Sequence, residues 1–396
     1  MVILGSGYMS NFEVEISGLT REYPNFKYGT QELMDILGNK LSDQVKENIN
    51  QLGVKNRFFV RPIEQYISNS GERVRSLEDG EPISELCTKV GKKCISNLGL
   101  DTNDITCLVT GFEDNDFLSP GLSSIVLTKM GLSKFLPHYS IQGMACSTLP
   151  KLLELGKNLI HNENDKILFV ISGCNSGWYL PHLKNDMTVR NPKEIGEDQY
   201  DRDQQLSKWV STMFSFLFGD GVAAFVMSKA DSNENGIKIG KITHGVNFND
   251  HDYRKACVRL VGNTSNHMYE HELTAGSDIL KRSLDYSKKV LAKSLNGDIE
   301  SFDQKIAEEF MEKQQKVMIH TGSLKILDGF KELYNLKDDQ IRESYDTLKE
   351  YGNLTGVSIP TVLDKAISSD NSFSGKGLLI GITMGFGLDL VEIEKP

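Results

Sequence analysis

Short apolar runs rich in β-branched residues alternate with longer stretches of helical periodicity, and this alternation constrains the fold more than any single motif. A run that is apolar throughout suits a strand covered on both faces, and strands separated by amphipathic helices suit parallel strands joined by helices. Strands are expected at 2–7 (VILGSG), 105–112 (ITCLVTGF), 166–173 (KILFVISG), 221–228 (GVAAFVMS), 316–322 (KVMIHTG) and 377–387 (GLLIGITMGFG). Helices are expected at 82–99, 147–162 and 278–295. The fold class read from this pattern is α/β.

The polar run KADSNENG at 229–236 is rich in turn formers and divides the chain into halves at 1–230 and 231–396. Each half carries a strand, a helix and a reactive-looking loop, which suggests duplication without a readable repeat. A second polar segment, 182–208, interrupts the pattern between two strands. Segments this long are lids or insertions, and its heavy charge favours a solvated excursion.

Composition excludes several classes of function. The chain has 396 residues, enough for a large core, with 39% hydrophobic and 25% charged residues, as in a soluble globular protein. A net charge of -10 and the lack of a basic stripe argue against a nucleic-acid surface. The N-terminus MVILGSGYMS has no charged region ahead of its apolar run, so it reads as a strand and not a signal peptide. No apolar stretch approaches a membrane span. Six cysteines lie scattered without a CxxC pair, which indicates no zinc knuckle, no metal site and no redox dithiol. A cytoplasmic protein with reduced thiols is expected.

One of those cysteines stands apart. In IQGMACSTLPKLL, Leu149, Leu152, Leu153, Gly156, Leu159 and Ile160 share one helical face, so a buried helix starts near Ser147, with Pro150 in its first turn. Cys146 is then at the helix N-terminus, where unpaired N–H groups and the positive end of the helix dipole favour a thiolate. A cysteine in such a place is also a common small apolar filler. Deciding between the two requires partners.

His320 ends the apolar run KVMI, at the turn HTGS. Asn353 lies in EYGNLTGVSIP, just ahead of the apolar stretch SIPTVLDKAI. Taken singly, the first reads as a hydrogen-bonded histidine and the second as a helix cap or turn residue. Taken together, imidazole Nε2 and a carboxamide supply two donors for one oxygen. That arrangement suits the oxyanion of thiolate attack on a thioester, or the enolate left when a malonyl thioester loses carbon dioxide.

The segments GMACSTLP, FGDGVAAFVMS, HTGSLKILDGF, EYGNLTGVSIP and GITMGFGLDLVEI, in this order and spacing, resemble the ketosynthase-like branch of the thiolase superfamily. The chain is most similar to type III polyketide synthases of the chalcone synthase kind, with ketoacyl synthase III enzymes next. The likeness runs from VILGSG through VKNRFFV and LSPGLSSIVLTKMGL to the last strand. It implies a five-layered αβαβα fold of two similar halves, a homodimer, and no bound cofactor. It implies that Cys146 accepts the acyl group from an acyl-CoA or acyl-carrier-protein thioester, and that His320 and Asn353 serve decarboxylation of a malonyl thioester. The acyl carbonyl would lean on backbone N–H groups of Cys146 and of the GFG loop at 385–387, at Gly387.

By the same resemblance Ser119, Trp178, Phe218 and Phe386 line the substrate pocket, and Lys46, Lys55 and Arg57 face the CoA or carrier-protein entrance. The chain departs from the family in GFGLD, where chalcone-type enzymes have GFGPG, and in Ser119, where plant enzymes have methionine. The entrance helix is poor in basic residues. Near Ser119 some relatives place a glutamate base; Glu113 falls several residues short of that position. The expected activity is a decarboxylative Claisen condensation to a β-keto, pyrone or resorcinol-type product. Its alternatives are a non-decarboxylative acyltransferase using the same Cys-His pair, and an inactive scaffold subunit. A papain-like thiol hydrolase also uses Cys, His and Asn, but the strand pattern does not suit it.

Overall fold

The computed structural model describes residues 13–67, 81–117, 119–180, 183, 189–190, 199–230, 236–249, 256–260, 269–273, 276–368, 373–383 and 386–396, without side chains at 199–207, 256–260, 269–273 and 276–278. Its strands are β1 (Val14–Glu22), β2 (Phe26–Gly29), β3 (Asn56–Phe59), β4 (Cys107–Phe112), β5 (His138–Gln142), β6 (Lys166–Ser172), β7 (Val222–Lys229), β8 (Ile237–Val246), β9 (Ala256–Leu260), β10 (Tyr269–Leu273), β11 (Lys316–Ile319), β12 (Gly375–Thr383) and β13 (Gly387–Lys395). The strand expected at 2–7 lies outside the described residues. The expected helices are present at Ile83–Asn97, Thr148–Leu159 and Gly276–Asn296.

Nine strands hydrogen-bond in the order β11-β12-β13-β8-β1-β7-β6-β4-β5. The sheet is mixed, not parallel throughout. Residues 377–383 of the expected run belong to β12, and β13, which begins a few residues on at Gly387, pairs antiparallel with it, with Thr383 opposite Gly387. A connection that short cannot carry the chain back to a parallel start.

The sheet divides at β1 and β8, which meet only at Glu15–Lys238 and Ile16–Ile237. On one side β1 is antiparallel to β7, β7 antiparallel to β6, and β6 parallel to β4. On the other, β8 is antiparallel to β13, β13 antiparallel to β12, and β12 parallel to β11. The order and sense are the same in both.

Burial then gives five layers. Alternate residues of β6 face opposite ways: Ile167, Phe169 and Ile171 join a central core with Leu149, Leu152, Leu153, Ile359, Val362 and Leu363, which come from two helices between the half-sheets. Leu168 and Val170 face outward onto Leu86, Val90 and Val126 of helices Ile83–Asn97 and Leu122–Met130. Beyond the other half-sheet, Val317, Ile319, Leu378 and Ile380 pack on helices Gly276–Asn296, Leu324–Leu333 and Asp338–Tyr351. Strands buried on both faces explain why their sequences are continuous apolar runs. The expected αβαβα architecture is present.

The two central helices begin alike. Ala145 takes a left-handed backbone (φ 44°) just before Cys146, and a 3-10 turn, Ala145–Ser147, leads into helix Thr148–Leu159. Thr355 takes the same conformation (φ 48°) just before Gly356, and the 3-10 turn Thr355–Val357 leads into helix Ser358–Ser368. A Cβ on Gly356 would lie 2.8 Å from Thr148 Cβ and 3.2 Å from the Ala145 carbonyl oxygen, so the two turns are packed against each other.

Candidate active site

Cys146 is 5% exposed and occupies the expected place at the N-terminus of a central helix, just past the carboxyl end of β5. Ligand crevices of α/β sheets lie at such strand ends. Left-handed backbone at a residue with a side chain costs on the order of 1–3 kcal/mol and persists where surroundings impose it. Here they do: Thr148 Oγ1 donates to the Ala145 carbonyl at 2.6 Å, Thr383 Oγ1 donates to the Met144 carbonyl at 3.3 Å, and the Ala145 N–H donates to the Glu113 carboxylate.

The electrostatics correct the expectation of a stabilised thiolate. Burial pushes the Cys146 thiol well above the ordinary range, the Glu113 carboxylate raises it further, and only the residue's own N–H opposes them. Desolvation of a fully enclosed thiolate outweighs the helix terminus.

His320 follows β11, and its N–H donates to the Ile380 carbonyl at 2.9 Å, which continues the β11–β12 pairing by one residue. Burial lowers its imidazole to about 3, so the ring is neutral near pH 7. Its Nδ1 is buried without a hydrogen-bond partner.

Asn353 is fixed by both its main chain and its side chain. Its N–H donates to Leu217 O and its carbonyl accepts from the Gly219 N–H, which joins it to Phe218 in a short bridge. Its Oδ1 accepts the Thr355 N–H at 2.9 Å and lies 3.5 Å from Ser358 Oγ. A backbone N–H can meet only the amide oxygen, so the NH2 end of the side chain remains the donor. Thr321, next to His320, places its hydroxyl 3.1 Å from the Gly352 carbonyl and 2.9 Å from Ser358 Oγ. Thr321 and Ser358 thus couple the histidine turn to the asparagine turn, and the Gly356 contact couples that turn to Cys146.

The other expected pocket residues divide. Phe218 and Trp178 belong to one aromatic-rich cluster, in which Phe218 lies 6.0 Å from Tyr179 and 4.7 Å from Phe214 between ring centroids. Ser119 is exposed. The Phe386 ring is 2% exposed and packs edge-on against Tyr286, 5.3 Å away, in the C-terminal core. Gly387 opens β13 opposite Thr383, whose hydroxyl reaches Met144; Gly385 of the GFG loop lies outside the described residues.

At the expected entrance, Lys55 is exposed and Lys46 is half-buried and 3.6 Å from Asp43. Arg57 does not share that surface. It is fully buried, its Nη2 donates to Thr30 Oγ1 at 2.7 Å, and its guanidinium lies 5.6 Å from the centre of the Phe216 ring. Its position in β3, paired with Tyr28 of β2, turns the side chain inward, and burial lowers it to about 10.

Sequence reasoning missed the part that three residues play in building the site. Ser358 and Thr321 left no signal, because the contact that pairs them joins segments 37 residues apart. Glu113 did leave one, as a charged residue directly after the apolar strand β4, where a parallel strand opens onto the crevice. Asp220 of the FGDG run serves the scaffold: its carboxylate accepts the N–H groups of Val60, Asn175 and Ser176 and the Ser176 hydroxyl, tying three segments together behind Phe218.

No family model matches the chain. Among curated proteins it is 23% identical to the phloroglucinol synthase of Pseudomonas fluorescens over 377 residues, covering 94% of this chain and 96% of that protein. It is also 23% identical to the beta-ketoacyl-[acyl-carrier-protein] synthase III of Neisseria meningitidis over 325 residues, covering 80% of this chain and 85% of that protein. The chain is homologous to the thiolase-superfamily condensing enzymes. Solved structures agree on the fold of these condensing enzymes: a CsyB variant superposes with TM-score 0.75 at 18% identity over 97% of this chain and 100% of that one, and an OleA variant of Xanthomonas campestris with TM-score 0.70 at 16% identity over 98% and 100%. Its homologues are acyl-transferring condensing enzymes, and the chain is read as an enzyme of that kind.

Proposed function

We propose that the protein is a ketosynthase of the type III polyketide synthase kind. The Cys146 thiol gives up its proton as Sγ attacks an acyl-CoA or acyl-carrier-protein thioester; the acyl group moves to Sγ and the carrier thiol leaves with that proton. A malonyl thioester then loses carbon dioxide, and its enolate carbon attacks the acyl carbonyl on Sγ. The new carbon-carbon bond forms as the Cys146 thiolate departs, giving a β-keto thioester that is released or cyclised to a pyrone or resorcinol-type product.

The observation that carries this reading is the orientation of Asn353. With Oδ1 held by the Thr355 N–H, the amide offers its NH2, and a neutral His320 offers a second N–H. Two neutral donors suit an enolate oxygen, and removing one donor of such a pair costs about 10²–10³ in rate. Neither donor gives up its proton during decarboxylation.

The functional unit is a homodimer in this reading. Strand β5 is an outer edge of the sheet, with Tyr139 at 45% exposure and Phe135 at 96% ahead of it. An unpaired edge with exposed aromatic rings is a surface that a second copy would cover. No permanently bound cofactor is required by this chemistry.

The test is to incubate the protein with acyl-CoA and acyl-carrier-protein donors, weigh the Cys146 peptide, then add malonyl thioester and follow carbon dioxide. An acyl adduct followed by malonate-dependent carbon dioxide supports the proposal. No adduct with any donor refutes it. An adduct without carbon dioxide assigns the protein to simple acyl transfer.

A further inference from the structure

Glu113 follows β4 at the mouth of the site and is absent from the chemistry above. Its carboxylate accepts the Ala145 N–H, and the N–H groups of Gly143 and Met144, just ahead of it, also favour its charge. Gly143 (φ 83°) and Ala145 (φ 44°) both have positive φ, and successive N–H groups in such a turn converge on an anion. Gln142 Nε2 closes the arrangement by donating to the Glu113 carbonyl at 3.0 Å. Both strands that lead into the turn are therefore tied at this one residue.

We infer that Glu113 is the positioning residue of the nucleophile: its carboxylate clamps the left-handed turn that presents Cys146 and places a negative charge near the thiol. Resting on the reading of Cys146 as nucleophile, it deepens that reading by naming what restrains the thiol. Among the described residues the titratable group that Glu113 acts on is Cys146. Asp114, next in sequence, is engaged elsewhere, with Asp116, Asp220 and Arg61. Burial raises the Glu113 carboxyl to about 7 against the lowering effect of the three N–H groups, so its charge changes where the enzyme would work.

Two variants separate the clamp from the charge. Glu113→Gln keeps an oxygen acceptor for the Ala145 N–H and removes the charge; Glu113→Ala removes both. The readout is the rate at which iodoacetamide alkylates Cys146, followed by peptide mass across pH, with circular dichroism as a check on folding. In Glu113→Gln the alkylation profile is expected to move about one pH unit lower, about tenfold faster at a fixed pH on the rising limb, because a like charge beside the thiolate is gone. A Glu113→Gln profile that superposes on the wild type overturns the proposed charge effect. In Glu113→Ala, acyl transfer to Cys146 is expected to fall more than tenfold below Glu113→Gln, and equal rates in the two overturn the clamp. Should Glu113→Ala not fold, Glu113→Asp replaces it, since the shortened side chain withdraws from the turn; acylation as fast as in Glu113→Gln again overturns the clamp. Alkylation needs no acyl donor, so failure of the ketosynthase reading would show as an absent acyl adduct while the alkylation profiles still decide the role of Glu113.

Discussion

Thr321 Oγ1 lies 2.9 Å from Ser358 Oγ, and this hydroxyl pair links the segment carrying His320 to the one carrying Asn353. Ser358 Oγ also accepts the Leu354 N–H at 2.9 Å. Ser358→Ala therefore leaves a buried N–H and a buried hydroxyl short of partners, at about 1–3 kcal/mol of stability. Decarboxylation of malonyl thioester is expected to fall about tenfold through loosened Asn353, with acyl loading of Cys146 within about threefold of the wild type. Urea unfolding and carbon dioxide release measure the two effects.

Asn353→Ala removes the NH2 donor itself. Carbon dioxide release is expected to drop by about 10²–10³, while the acyl adduct on Cys146 still forms. Equal loss of both steps would contradict the division of roles. Asn353→Asp is expected to be no better, since a carboxylate at that place offers an acceptor in place of a donor.

Burial makes stability depend on pH through His320. Its folded value, about 3, is below the ordinary histidine value of 6.5, so between those limits the unfolded chain binds the extra proton. Its effect is absent above the unfolded value, and stability falls as pH drops from about 6.5 toward 3, by about 1.4 kcal/mol for each unit. His320→Gln is expected to flatten this part of the profile. Denaturant midpoints for both proteins at pH 7, 5.5 and 4.5 give the difference.

A side chain on Gly356 has nowhere to go. In Gly356→Ala the new Cβ meets Thr148 Cβ and Oγ1 at 2.8 Å, so the turn bearing Cys146 must shift. A stability loss of about 1–3 kcal/mol is expected, with slower acylation of Cys146 even where the protein stays folded. Differential scanning calorimetry and adduct mass test both.

Arg57 and Lys55 should behave as opposites. Arg57→Met exchanges a buried cation with two unpaired N–H groups for an apolar chain of similar length, and stability is expected to stay within about 1 kcal/mol or to rise. Its KM for acyl-CoA should be unchanged. Lys55→Glu, on the exposed surface, is expected to raise that KM several-fold at low salt and less at high salt.

The sequence made parts of this molecule legible because local rules govern them. Strands β6 and β7 are covered on both faces, so their apolar runs mark them to within a residue or two. The helix after Cys146 shows its buried face in its own periodicity. Strand β5 was not visible, because HYSIQ is an exposed edge with no apolar face to reveal it. The split between β12 and β13 is hidden inside one apolar stretch and shows only in the antiparallel pairing of Thr383 with Gly387. Cys146, His320 and Asn353 were found through order along the chain. What tunes them, from Glu113 to Ser358, depends on approach in space between segments far apart in sequence, as does the inward turn of Arg57.

The matched turns at Ala145 and Thr355 show what a duplicated scaffold does when only one copy may react. Where the first turn places Cys146, the second places Gly356, which has no side chain at all. The emptiness of the second position makes room for the first, since any side chain there would strike Thr148. Backbones alike at these two turns thus carry unlike side chains: one half holds the reactive atom, and the other has a glycine whose bare Cα lets Thr148 and the Ala145 carbonyl pack against it.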